Sequence, residues 1–187
     1  LQALLAGSLA AKEKPGGGAG LRVYVSGTAI RRMSAGALVR ANAAATRRAA
    51  GDTQYALARP SGCDVVHKTT QTWLRADKNQ AVLAFDTVNA FLSLPRALML
   101  QRVNARCPEL AATAEQWYGR RARHLWRDAA GHPHWVQAAE GVDPGCGLGA
   151  ALFAIGTAPM NEALLAQLLQ AGVPAARVLA ILDDVHV

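Results

Sequence analysis

The chain has 187 residues, 51% of them apolar and 18% charged. This is enough for one medium domain, or part of a larger one, with a substantial core, and it excludes disorder throughout. A net charge of +7 and a pI near 9.9 suit a polyanionic partner such as nucleic acid, though a solvated basic surface would read the same way. The chain starts at Leu1, without the charged start of a secretory signal. No apolar run approaches the roughly 20 residues of a membrane span. The expectation is therefore a soluble fragment, without a membrane partner, whose natural start lies upstream. Cys63, Cys107 and Cys146 show neither metal nor disulfide spacing and are expected to be small buried side chains in a reducing compartment.

In chain order, the composition of residues 2–11 predicts a helix, and Lys14-Pro15-Gly16-Gly17-Gly18-Ala19-Gly20 a loop or hairpin tip. Leu21 to Val25 alternates like a strand. Ile30, Met33, Ala37, Leu38 and Ala41 give helical spacing over 28–50, with arginines on the other faces and Gly51-Asp52 as the stop. A second helix is expected around Val65 to Leu74. Ala81-Val82-Leu83-Ala84-Phe85 reads as a buried strand that delivers Asp86 at its tip. Helices follow over 95–106 and 109–118, then a hairpin turning at Asp128-Ala129-Ala130-Gly131. Glycine-rich 141–149 leads into an apolar helix over 148–170, stopped by Gly172-Val173-Pro174. A last buried strand, Arg177 to Leu182, ends at Asp183-Asp184.

Two buried strands that each end in aspartate are the central signal. Either aspartate alone reads more readily as a turn residue that ends its strand. If the strands adjoin, three carboxylates crowd one sheet edge, where they repel one another unless a hard divalent cation intervenes. Two such cations can serve phosphoryl transfer.

Ala84-Phe85-Asp86-Thr87-Val88-Asn89-Ala90-Phe91 resembles the first catalytic block of reverse transcriptases of the non-LTR retrotransposon and group II intron type. Gly141 to Phe153 resembles their glycine-rich second block, and Ile181-Leu182-Asp183-Asp184 their third. Lys14 to Val23 resembles the fingers hairpin that precedes these blocks, and residues 29–38 the helix after it. The resemblance spans about residues 12–187 and keeps the order of every block.

It implies an α+β fold, with a basic, largely helical fingers region over 1–80 and a palm over 81–187 whose antiparallel sheet is backed by helices. It implies RNA-directed DNA polymerase activity, with an RNA template, a DNA primer and deoxynucleoside triphosphates as partners, in the nucleus or cytoplasm if the host is eukaryotic. Asp86, Asp183 and Asp184 would hold two magnesium ions, with manganese as a substitute. Phe91 would gate the sugar against a 2′-hydroxyl, Lys14 and Arg22 would grip the triphosphate, and Gly145 would lie at the substrate. Pro144-Gly145-Cys146-Gly147 stands where the family usually has Gln-Gly-Asp-Pro, and Ile181 where it has tyrosine. These departures keep open an alternative, a decayed or domesticated remnant that binds nucleic acid or protein without polymerising.

Two other readings fail. Gly145-x-Gly147-x-x-Ala150 fits a dinucleotide-binding pattern, but no acidic strand end follows about 20 residues later. No Gly-Lys-Ser/Thr follows the glycines to make a phosphate-binding loop. His124, His132 and His134 are expected to be turn and surface residues rather than metal ligands. Of Trp73, Trp117, Trp126 and Trp135, at least the first two are expected to be buried rather than free to stack on bases.

Overall fold

The alternating run at Leu21 forms strand β2 (Leu21–Gly27), which pairs antiparallel with β1 (Gly7–Glu13) over its whole length, Glu13 opposite Leu21 and Gly7 opposite Gly27. The computed structural model describes residues 5–13 and 21–187, so Lys14 and the loop expected over 14–20 lie outside the described residues. β1 replaces much of the helix expected over 2–11. Alanine favours a helix only weakly, and pairing with β2 overrides that preference by giving both strands their backbone partners.

The helix expected over 28–50 is two. The Thr28 hydroxyl accepts a hydrogen bond from the Arg31 backbone N–H at 3.3 Å and starts α1 (Ala29–Ala41). Asn42 breaks the run by donating its side-chain amide to the Leu38 carbonyl at 2.9 Å, and α2 (Ala43–Ala50) follows. Next come α3 (Gly62–Ala76), β3 (Ala84–Asp86), the short α4 (Ala90–Ser93), α5 (Arg96–Arg106) and α6 (Pro108–Tyr118). The hairpin is β4 (Ala122–Arg127) and β5 (Pro133–Ala138). Asp128 closes its turn by accepting from the Ala130 and His132 backbone N–H groups. Helix α7 (Gly149–Gln170) precedes β6 (Leu179–Ile181) and β7 (Asp184–His186).

By length and apolarity, α7 does meet the measure of a membrane span, contrary to the expectation that no stretch would. Here its first half is core. Ala151, Leu152, Ala154, Ile155 and Ala158 are fully buried among Leu94 and Met99, Val103 and Leu110 of the α5 and α6 region, and Ala45 and Ala49 of α2. A helix apolar on every side belongs in an interior.

Two sheets flank this core. One has the order β2-β1-β4-β5, and the other β3-β7-β6. The first is antiparallel except where β1 meets β4, with Gly7 beside His124 and Ser8 beside Leu125. It joins strands from both sides of the boundary expected between residues 80 and 81, and the central core does the same. The second sheet is antiparallel throughout and packs Val178, Ala180 and Val185 on Leu164, Leu165 and Leu168 of α7.

The strand expected to be buried before Asp86 is exposed. Leu83 and Phe85 are 59% and 51% accessible, because β3 is the edge of its sheet and no described element covers it. Among the cysteines, Cys107 is buried while Cys63 is exposed.

Candidate active site

Residues Leu179 to Ile181 form a strand because the segment is short, apolar and pinned on both edges. Residues 53–55 flank it on one side, where the Ala180 N–H donates to the Thr53 carbonyl and the Tyr55 N–H to the Ala180 carbonyl, both at 2.8 Å. On the other side lies β7. The β6–β7 turn holds Leu182 at φ 56°, a left-handed conformation that costs a branched residue energy and persists only when its surroundings enforce it. Gln54 supplies that constraint. Its buried side-chain oxygen accepts from the Leu182 N–H at 2.9 Å and from the Ala56 N–H at 3.1 Å. Sequence reasoning passed over Gln54, since nothing local marks a glutamine that will grip a turn far along the chain.

The two aspartate-tipped strands are not neighbours; β7 lies between them. Asp184 sits on β7 directly opposite Asp86 of β3, and Asp183 occupies the turn. Like charges in facing positions are unfavourable. Burial, reinforced by the charges of Asp184 and Asp86, pushes the Asp183 carboxyl above the ordinary range, against its own backbone hydrogen bond and the Arg22 guanidinium. The donor set is oxygen only. Among the described residues no three His, Cys, Asp or Glu side chains close into a metal cage. An open carboxylate set suits magnesium, which binds through one or two carboxylates and takes its remaining ligands from water and substrate phosphates.

Asp86, Asp183, Arg22 and Phe91 line one cleft of about 260 Å³, together with Tyr24, Asn89 and Pro144. The Phe91 ring stacks on Phe153 of α7 with centroids 4.6 Å apart and planes 9° from parallel, so its position is set by the core helix. The glycine-rich block is strapped to the same corner, with the Val142 N–H donating to the Phe91 carbonyl at 2.7 Å and the Gly141 N–H to the Leu94 carbonyl at 2.9 Å. Gly145 does not line the cleft. It lies against β2 at φ 104°, where a Cβ would stand 2.8 Å from the Val25 carbonyl oxygen, while the Pro144 carbonyl accepts from the Val25 N–H at 2.8 Å. Its observed part is to let this block and β2 approach.

Behind the cleft is a buried charge cluster that sequence reasoning missed. Arg31, one of the arginines expected on the outer faces of the helix over 28–50, is 2% exposed. Its Nη2 lies 2.9 Å from Asp143 Oδ2, and Nη1 donates to the Leu5 carbonyl at 3.2 Å. The guanidinium lies near the Trp117 and Tyr118 rings. His124, expected at the surface, is buried and places Nε2 3.0 Å from Asp143 Oδ1. Burial pushes the Asp143 carboxyl up, but the His124 hydrogen bond and the His124 and Arg31 charges outweigh it and hold the carboxyl below the usual range. The cluster ties α1, the glycine-rich block and β4 together. Arg96 is buried as well, donating to the backbone carbonyls of Gly141, Arg120, Ala138 and Glu140. His132 in the hairpin turn and His134 on β5 both contact Asp128, and both are exposed.

No family model and no curated protein matches the chain. Its fold is shared with solved telomerases. Apo telomerase from Candida tropicalis, truncated from its C-terminal domain, superposes with a TM-score of 0.65 at 14% identity, over 98% of this chain and 43% of that one. Untruncated apo telomerase from the same organism gives 0.62 at 11% identity, covering 98% and 38%. Telomerase from Candida albicans in complex with a TWJ fragment of telomeric RNA gives 0.61 at 11% identity, covering 97% and 37%. The chain thus has an α+β, reverse-transcriptase-like fold and spans less than half the length of these telomerase chains.

Proposed function

We propose that this chain is the fingers-and-palm part of an RNA-directed DNA polymerase of retroelement type, which joins deoxynucleotides to a DNA primer on an RNA template. The observation that carries the reading is the facing pair Asp86 and Asp184, with Asp183 in the adjoining turn, beside a cleft that also holds Arg22 and Phe91. The motif blocks, rather than the structural likeness, support the non-LTR or group II type. In the reaction the primer 3′-hydroxyl attacks the α-phosphorus of the incoming triphosphate, a new phosphodiester bond forms, and pyrophosphate leaves.

Asp86, Asp183 and Asp184 would hold two divalent ions, magnesium or manganese, which when bound activate the attacking hydroxyl and stabilise the leaving oxygen. Arg22 would fork onto triphosphate oxygens across the cleft. Phe91, braced by Phe153, would present a flat wall to the sugar and exclude an added 2′-oxygen. Gln54 and the α1–Asp143–β4 cluster would keep the turn and the glycine-rich block in place, so that little reorganisation accompanies substrate binding.

Pro144 favours a second reading, a remnant that binds nucleic acid without extending it. It lines the cleft where the resemblance calls for a glutamine, and its ring has no amide to offer a base or nucleotide. Primer extension by the full-length protein, on an RNA template with magnesium, separates the two. Extension that Asp183→Ala abolishes supports the polymerase; undiminished extension by that variant refutes the role of Asp183, and no extension by the parent protein leaves the remnant.

A further inference from the structure

Alternate residues of the four strands β2-β1-β4-β5 share one face. Strand register places Arg22, Tyr24 and Ser26 opposite Lys12, Ala10 and Ser8. Ser8 stands beside Leu125, and Arg123, Leu125 and Arg127 stand opposite Gln137, Trp135 and Pro133. All are exposed except the half-buried Leu125. This face carries four cations and two aromatic rings and no acidic side chain; Glu13, the acidic residue of these strands, alternates to the other face. At its outer end the Trp135 ring is 55% accessible, and the Arg123 guanidinium lies 5.1 Å from the ring centroid. At its inner end Arg22 and Tyr24 line the cleft.

We infer that the outer hairpin, through Trp135 and Arg123, binds an unpaired nucleic-acid strand running over this sheet face, an inference that rests on the nucleic-acid reading above and extends it beyond the cleft. An exposed indole beside a guanidinium offers a platform on which any base can stack while the cation meets the phosphate. The face itself carries no acidic side chain to offset Lys12, Arg123 and Arg127, while Arg22 at its inner end meets Asp183 of the cleft. A duplex hides its base faces within the stack and cannot use the indole in this way.

The test uses the full chain in an Asp183→Asn background without divalent metal, so that binding is read apart from polymerisation and either reading can fail alone. Labelled oligo-uridylate and oligo-thymidylate of about 12 nucleotides, a duplex of the same length and inorganic polyphosphate serve as probes in fluorescence anisotropy. Trp135→Leu is expected to weaken single-strand binding by roughly tenfold and to leave polyphosphate binding unchanged, with Trp135→Phe retaining most of the affinity. Arg123→Ala is expected to weaken both and to lower the salt slope by roughly one unit. Circular dichroism reports that each variant is folded, and the Phe variant keeps the test informative if the Leu variant is not. The inference is overturned if Trp135→Leu binds single strands as the parent does, if it loses polyphosphate equally, or if the duplex binds as tightly as the single strand.

Discussion

Asp183 and Asp143 are both carboxylates with an arginine nearby, yet their ionisation is pushed in opposite directions. Asp143 is enclosed by groups that favour its charge. Asp183 is partly buried with two more aspartates beside it. For Asp183 the folded pKa lies above the unfolded value of about 3.9, so its contribution to stability is complete below that value and is lost as pH rises through the folded pKa. Asp183→Asn should therefore raise Tm relative to the parent more at about pH 7 than at about pH 3; an equal difference at both would contradict the assigned crowding. For Asp143 the sign reverses. Its stabilisation is present above the unfolded pKa and disappears as pH falls through the depressed folded value. Asp143→Asn should cost about 3–5 kcal/mol in denaturant unfolding at neutral pH, since it leaves Arg31 buried without a counter-charge. At this scale the placing of Asp86, Asp183 and Asp184 at or beside strand ends was legible, because a carboxylate at the end of an apolar run is a local pattern, whereas Phe91 entered through the resemblance alone. Arg31, His124 and Gln54 were not legible. Each takes its meaning from partners far along the chain, and a buried arginine looks like a surface one until its aspartate is found.

At the level of elements, the glycine-rich block meets β2 through Gly145. A methyl group there would meet both a positive φ and a carbonyl oxygen at 2.8 Å. Gly131, in the β4–β5 turn, has a positive φ but open space around its Cβ position. Gly145→Ala should thus cost about 1–3 kcal/mol and Gly131→Ala less, each read by denaturant unfolding; equal losses would remove the close approach from the account. The helices over 95–118 and 149–170 were readable as helix-forming runs bounded by proline and glycine, and the β4–β5 hairpin by its Asp128 to Gly131 turn. β1 was not readable, since its strand state depends on β2. Nor was the exposure of β3, since an apolar run reports the wish to be covered and not whether a neighbour covers it.

Across the whole molecule, one core joins residues from both sides of the boundary expected between 80 and 81. The net charge, read from the sequence as a surface property, is in part internal, with Arg31 and Arg96 buried among aspartate and carbonyl groups. The cations that remain outside include Lys12, Arg22, Arg123 and Arg127 on the sheet face that borders the cleft. The account turns on Asp86, Asp183 and Asp184 sharing a divalent cation, and Mn²⁺ binding followed by electron paramagnetic resonance tests this directly. The parent chain should bind Mn²⁺ in competition with Mg²⁺, and Asp86→Asn and Asp183→Asn should each weaken binding by at least about tenfold. Binding of equal strength in all three proteins would contradict it.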